Sequence, residues 1–259
     1  MTYWMQRARA ALPWLLVGVV SSAAVLLARL PAAWIAPRFA HMSHGHVNLV
    51  DSAGSLWNGS ATLMLAAGAQ ANGSTLLPGR VEWRTAFWPL FAGRVRMQMH
   101  QTEAMPEPVI VEATPRGATL TAGSIAVPAS LLAGLGAPFN TLDFDGRVRL
   151  AWGPWRTFGT DAFGRLTISL ADMSSRVSLV KPLGSYEVVV QAKGASSSLD
   201  LSTQKGALVL NGHGTLSRTS TSFEGTASAT PDQRENLAGL LNLLGRPAGP
   251  DTVALTFIR

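Results

Sequence analysis

Three histidines stand close together, His41, His44 and His46, with Met42 among them and Asp51 further on. Imidazoles two and three residues apart can share a divalent metal. A metal-bound imidazole is usually held from behind by a carboxylate, and none lies beside these in the sequence. A polar linker is the expected reading, and no metal or other cofactor is assigned. Asp143-Phe144-Asp145-Gly146 puts two carboxylates on one strand face. Paired carboxylates can work as general acid and base. The same spelling, with Asp outward, Phe inward and Asp-Gly at a turn, is ordinary hairpin design, and that is the expected reading. Trp57, Trp83, Trp88, Trp152 and Trp155 could stack on sugar or line a lipid groove, but core and loop anchoring is the commoner use. The chain has no cysteine, which removes thiol catalysis and Cys-ligated metals. It has no G-x-S-x-G elbow, phosphate-binding loop, dinucleotide glycine fingerprint or H-E-x-x-H. No catalytic residue is assigned, and an enzyme is not expected.

The elements that carry these residues begin with Ala10 to Ala28, which holds no charge and is apolar apart from Ser21 and Ser22. Arg7 and Arg9 bound it on one side and Arg29 on the other. About 20 apolar residues cross a bilayer as a helix, which satisfies its own backbone polar groups. Trp14, Leu15, Leu16, Val17, Val19, Val20, Val25, Leu26 and Leu27 supply the apolar surface, and Trp34 follows Pro31. As helix positions, Trp14 and Trp34 would be roughly 30 Å apart, which fits the two aromatic belts of a bilayer. A cleaved signal peptide is the rival, with Ser22-Ala23-Ala24 as the cleavage site. The apolar run continues past that site, and Trp4 and Trp14 are untidy in a leader, so an uncleaved anchor is expected. The flanking arginines nearly tie, and large domains translocate largely regardless of charge. Residues 1–9 should form a cytoplasmic tail, 10–30 a transmembrane helix and 31–259 a domain outside.

The net charge is +6 over 259 residues. Three of the basic residues flank the apolar run, leaving eighteen Lys and Arg against fifteen Asp and Glu beyond it. The remaining positive charge is spread thinly and forms no run, so no nucleic-acid partner is expected. Gly 25 and Pro 15, with many short apolar segments, suggest an all-β domain.

Alternation supports this. Arg80, Glu82 and Arg84 alternate with Val81 and Trp83; Arg94, Arg96, Gln98 and His100 with Val95, Met97 and Met99. Arg147 and Arg149 alternate with Val148 and Leu150, and Leu166, Ile168 and Leu170 with polar neighbours. Tyr186, Val188 and Val190, then Leu199 and Leu201, then Val253, Leu255 and Phe257 continue the pattern. Period two means one face buried and one wet, the antiparallel habit. Asn58-Gly59 and Asn72-Gly73 read as turns. Two short helices are expected beyond the apolar run. One opens at Val127-Pro128 and carries Leu131, Leu132 and Leu135. The other has Thr230 as N-cap, Pro231 first, Gln233 completing a capping box, a stripe of Leu237, Leu240, Leu241 and Leu244, and Gly245 as C-cap. An internal echo links Gly79-Arg80-Val81 leading to Trp83 with Gly146-Arg147-Val148 leading to Trp152.

The order of motifs resembles protein N of the bacterial type II secretion system. It runs from the apolar segment to Gly54-Ser55-Leu56-Trp57-Asn58-Gly59, then Val81-Glu82-Trp83-Arg84 and Gly93. Gly206 to Gly212, Phe223-Glu224-Gly225, Leu240-Leu241 and Gly245 follow. The resemblance covers nearly the whole chain, and its motif residues are Gly54, Leu56, Trp57, Gly59, Trp83 and Gly93. It implies a single-pass inner-membrane protein with a periplasmic β domain, an accessory or assembly subunit without catalytic residues. Its implied partners are the inner-membrane platform proteins and the outer-membrane secretin. Arg94, Arg96, Arg147 and Arg149 are the candidate partner face. The family is also similar to AsmA-type proteins, whose curved sheets handle lipid, so a lipid-binding or lipid-transfer module with an apolar groove is the alternative.

Overall fold

The computed structural model describes residue 21 and residues 29–34, 36–43, 45–66, 74–135, 139–217, 219–249 and 252–258. The expected tail over 1–9 lies outside the described residues. So does the expected transmembrane helix over 10–30, with Trp14, Leu15, Leu16, Val17, Val19, Val20, Val25, Leu26 and Leu27; only Ser21, Arg29 and Leu30 of it are described. Among the described residues no helix is long and apolar enough to cross a membrane.

Among the described residues, seventeen strands form one sheet. In chain order they are β1 (Val47–Gly54), β2 (Asn58–Ala66), β3 (Ser74–Leu76), β4 (Val81–Ala86), β5 (Val95–Gln101) and β6 (Val109–Thr114). Then come β7 (Gly117–Leu120), β8 (Gly123–Pro128), β9 (Phe144–Trp152), β10 (Trp155–Phe158), β11 (Asp161–Ser175) and β12 (Gly184–Gly194). The last are β13 (Ser196–Gly206), β14 (Leu208–Ser217), β15 (Thr221–Ala229), β16 (Arg246–Pro247) and β17 (Thr252–Ile258). Each pairs antiparallel with a neighbour in the chain, so the sheet is an up-and-down meander. Three staves are broken: β3 and β4 share β2, and β7 with β8 lie against β10 with β9. β1 and β17 are not paired with each other, so the sheet is not closed.

The register explains the alternation. Ile125, Leu150, Ile168, Val188, Leu201, Gly212 and Gly225 fall in one row across the strands, ending at Leu255. Because side chains alternate between faces, the row one residue over is polar at Thr167, Asp200, His213, Glu224 and Thr256 and is interrupted by Val189.

The two ends of the sheet differ. One is capped by helical turns, Ala129–Leu135, Phe139–Leu142 and the helix Arg234–Leu244. The turn Ala129–Leu135 packs on β9 and also on β2 and β3. In a flat sheet those strands would be about 20 Å or more apart at ~4.8 Å per strand, so the sheet curls around this end. Here lies the main core: Leu237, Leu240, Leu241, Leu142, Val148, Met173, Leu183, Leu208 and Val253. A smaller cluster of Ala32, Ala61 and Trp83 serves the N-terminal strands.

Both expected helices exist, with different ends. Val127-Pro128 closes β8, and the first helix is a 3-10 turn that begins at Ala129. Residues Pro231–Gln233 form a 3-10 turn before the second, and the Thr230 side chain makes no capping bond. Gly245 is extended rather than left-handed; a Cβ there would meet the Ala254 carbonyl at 2.3 Å, so close strand contact explains it.

Tyr186 crosses this core and donates its hydroxyl to the Leu208 carbonyl at 3.1 Å. Burial pushes its phenol pKa above the ordinary 10.0. A raised folded pKa gives stability that is complete below the unfolded value and lost as pH rises past it. Thermal midpoints measured across alkaline pH should therefore fall above about pH 10, and less steeply in Tyr186→Phe. Parallel curves for the two proteins would contradict this.

Candidate functional site

The end of the sheet opposite the helices is made of hairpins and gathers Gly54, Leu56, Trp57, Gly59 and Gly93. Gly54 pairs with Gly59 across the β1–β2 hairpin. Gly54 has φ 83°, and a Cβ would meet the Asn58 carbonyl at 2.5 Å, so only glycine fits. The turn is Ser55 to Asn58, closed by the Ser55 N–H donating to Asn58 O at 2.9 Å. Asn58-Gly59 is thus the start of β2 rather than the turn itself, and Asn72-Gly73 lies outside the described residues. Leu56 donates its N–H to Leu30 O at 2.9 Å, and its carbonyl accepts from Thr85 Oγ1 at 2.9 Å. Trp57 O accepts from the Thr85 N–H at 2.8 Å.

Trp83 is buried under this hairpin. Its indole N–H donates to Ser55 O at 3.3 Å, and its ring lies on Gly59, its cross-strand partner. Trp152 repeats the arrangement on Gly123, with its indole N–H on Thr121 O at 3.0 Å. Trp155 covers Gly164, and Phe223 covers Gly212, Gly214 and Gly225. The echo between the two Gly-Arg-Val segments extends to charge. Arg80 pairs with Asp51 at 2.6 Å and Arg147 with Asp172 at 2.8 Å. Both aspartates sit in β-bulges at positive φ, 51° and 52°. Lys205 also holds Asp172, at 3.0 Å. Lys205 first, then Arg147, keep its carboxyl below the ordinary range.

The turn Trp88–Ala92 projects beyond the hairpin and ends at Gly93, whose φ is 66°. Nothing lies within 4 Å of a Cβ there, so the left-handed backbone alone calls for glycine. Trp88 and Phe91 are 81% and 75% exposed. Phe87 joins them, with ring centroids 5.3 Å from Trp57 and 5.4 Å from Phe91. Nothing in the alternation of the flanking strands signals this exposed aromatic cluster. The only sequence cue is the Phe-Trp-Pro-Leu-Phe-Ala-Gly spelling itself.

Beside it, on the polar face, Arg94, Arg116 and Arg156 line an open cavity of about 630 Å³ with Glu112, Phe158 and Phe163. Arg96 pairs with Glu112 at 3.4 Å. Arg147 and Arg149 share that face but lie on β9, with Arg147 toward the helical end. The four candidate partner arginines therefore form two groups rather than one patch.

The other chemical candidates separate. His41 lies on the short helix Ala36–Met42, His46 places Nδ1 3.1 Å from Ala66 O, and His44 is outside the described residues. Among the described residues no three metal-ligating side chains converge. Asp143 has φ 42° and pairs with Arg176 at 2.9 Å, while Asp145 accepts the Gly146 N–H at 2.8 Å. Asp145-Gly146 lies within β9 and makes no turn, a correction to the hairpin reading. Gln101, which carried no sequence signal, is fully buried. Its amide donates to Pro78 O at 2.5 Å and accepts from the N–H groups of Glu103 and Ala104.

A family model described as type II secretion system (T2SS), protein N, matches residues 45–256, from before β1 into β17. The chain belongs to that family. Membership connects it with type II secretion, a protein-transport process of the cell envelope, and so with other components of that system. No curated protein and no solved structure gave a significant match. Gly54, Leu56, Trp57, Gly59 and Trp83, the residues on which the resemblance was read, build one hairpin and its buried tryptophan, and Gly93 closes the aromatic turn beside them.

Proposed function

We propose that this chain is a non-enzymatic accessory or assembly subunit of the type II secretion system. Its apolar Ala10–Ala28 segment anchors it once in the inner membrane, and residues 31–259 work in the periplasm by binding proteins. The observation that carries this is the family match across nearly the whole sheet. Its partners are inner-membrane platform proteins and the outer-membrane secretin. Two features suit binding. Among the described residues the free edge of β17 is met by the two residues of β16 alone, leaving N–H and C=O groups that an added strand can use. Arg149 is exposed on the polar face with no carboxylate partner among the described residues, and Arg94, Arg96 and Arg147 stand on the same side.

A second reading, an AsmA-like lipid-binding or lipid-transfer module, is favoured by one observation. The apolar row Leu150, Ile168, Val188, Leu201 and Leu255 is only half-buried, although all but Val188 border the core under the helices. Crosslinking the full chain in native membranes and identifying what it captures separates the two. Secretion-platform proteins should be recovered, and Arg149→Glu should reduce that recovery in a salt-dependent way. Purified protein carrying stoichiometric lipid, with no secretion protein captured, would replace the first reading by the second.

A further inference from the structure

The hairpin end of the sheet is also the end at which the chain arrives from its N-terminal apolar segment. Pro31 bridges to Ser55, and Leu30 O accepts the Leu56 N–H at 2.9 Å. One residue further on, the Trp57 ring meets Phe87, which continues into Trp88 and Phe91. The exposed aromatic turn therefore sits next to the point where residues 1–28 leave the described fold. Trp34, 68% exposed, follows three residues after Pro31. Arg29 is exposed at the same junction. Around the turn, Arg94, Arg116 and Arg156 have no carboxylate partner among the described residues, and Phe158 and Phe163 stand exposed between them.

Exposed large aromatics in a contiguous group call for a partner. Trp88, with its indole N–H, beside phenylalanines and arginines matches the boundary of a bilayer, where tryptophan sits at the headgroup level, phenyl rings enter the apolar side and guanidinium groups meet phosphates. The opposite end of the sheet packs most of its apolar side chains under helices and leaves Val177, Leu179 and Leu243 exposed, but no aromatic ring among them. A charge-free run of the length of Ala10–Ala28 starting next to the turn brings a bilayer to that surface. We infer that the turn Trp88–Ala92, with Phe87 before it, inserts into the interface of the membrane that the N-terminal segment spans. Arg94, Arg116 and Arg156 then face lipid phosphates, and the strands stand away from the membrane with the helical end distal. This rests on the anchor in the proposed function, but it adds a second, aromatic attachment that fixes the domain's orientation.

The chain lacks cysteine, so single cysteines can carry a fluorophore without background. Full-length protein with Ala92→Cys, Gly249→Cys or Gly18→Cys is labelled and reconstituted in vesicles of phosphatidylethanolamine and phosphatidylglycerol bearing a nitroxide lipid quencher. Labels at 92 and 18 should be quenched several-fold more than the label at 249, which lies at the helical end. Trp88→Ser with Phe91→Ser should abolish quenching at 92 and leave quenching at 18 intact, with the thermal midpoint checking that the fold persists. A quenched label at 18 with the label at 92 as water-exposed as that at 249 overturns the interfacial turn and leaves the anchor standing. An unquenched label at 18 overturns the anchor itself. Because the vesicles hold no other protein, shielding at 92 that needs native membranes would assign the turn to a protein partner and overturn the lipid assignment.

Discussion

Leu237→Ala should destabilise the domain by about 2–5 kcal/mol, the range for truncating a well-packed leucine. Leu237 is 0% exposed on the helix Arg234–Leu244 and packs in one cluster with Leu240, Leu241, Leu208, Ala227 and Val253. The helix bridges β15 and β17, so its leucines fasten the last strand of the meander to the rest. A cavity there would cost the transfer energy of the lost methyls and the contacts of the lining side chains, because neighbours held by a sheet relax little. For a domain of this size the thermal midpoint should fall by roughly 5–15 °C. Leu241→Ala should behave similarly. Leu243→Ala is the internal control, since Leu243 on the same helix is 66% exposed and should leave the midpoint nearly unchanged. If Leu237→Ala and Leu243→Ala melt alike, the stripe does not face the sheet.

That stripe was legible because a helix lying on a sheet shows its buried side at a fixed spacing. The strands were legible for the same kind of reason: Leu166, Ile168 and Leu170 alternate because one face packs. What the spacing does not encode is where a ladder slips. The bulges at Asp51 and Asp172 depend on a partner guanidinium brought from β4's approach or from β9, and neither partner is near in sequence. Asp145-Gly146 reads as a turn because its local preference favours one. Its place in β9 is decided by pairing with β11, where Ser174 opposes Asp145. Thr230 and Gly245 stand at helix ends as expected, but Thr230 makes no side-chain capping bond and Gly245 no left-handed turn, for a related reason. The strand contacts of their neighbours, Ala207 O to Thr230 N and Ala254 O against Gly245, settle the backbone before the side chain can. Gln101 is a different case. A polar residue at a strand end gives no hint of burial, and its role appears only when Pro78 and the loop after β5 close around its amide.

The aromatic turn shows how a local spelling can build a surface that strand alternation does not announce. Phe87, Trp88 and Phe91 contribute little to the core, yet Phe87 contacts Trp57 in the β1–β2 turn. The arginines were legible as outward-facing by alternation. Their division into a group at the hairpin end and a group on β9 follows from the order of strands across the sheet, which alternation alone does not give.

Trp83→Ala should cost about 3–5 kcal/mol, the usual range for emptying a buried large aromatic site. Trp83 is 4% exposed, fills the N-terminal cluster with Ala32 and Ala61, and donates its indole N–H to Ser55 O. Its effect should be coupled to Gly59. A Cβ on Gly59 would stand 2.6 Å from the Trp83 ring and 2.6 Å from Ser55 O. Gly59→Ala must therefore displace the ring or the hairpin carbonyl and should destabilise by about 1–3 kcal/mol, as overpacking does. In the Trp83→Ala background the ring is gone and only the carbonyl resists the added methyl. The double variant should then be less destabilised than the two single effects combined, with a coupling of about 0.5–3 kcal/mol between residues in contact. Denaturant unfolding of the four proteins measures this cycle. Strictly additive losses would show that the ring does not lie on Gly59, and the cross-strand pairing that explains these two motif residues would have to be abandoned.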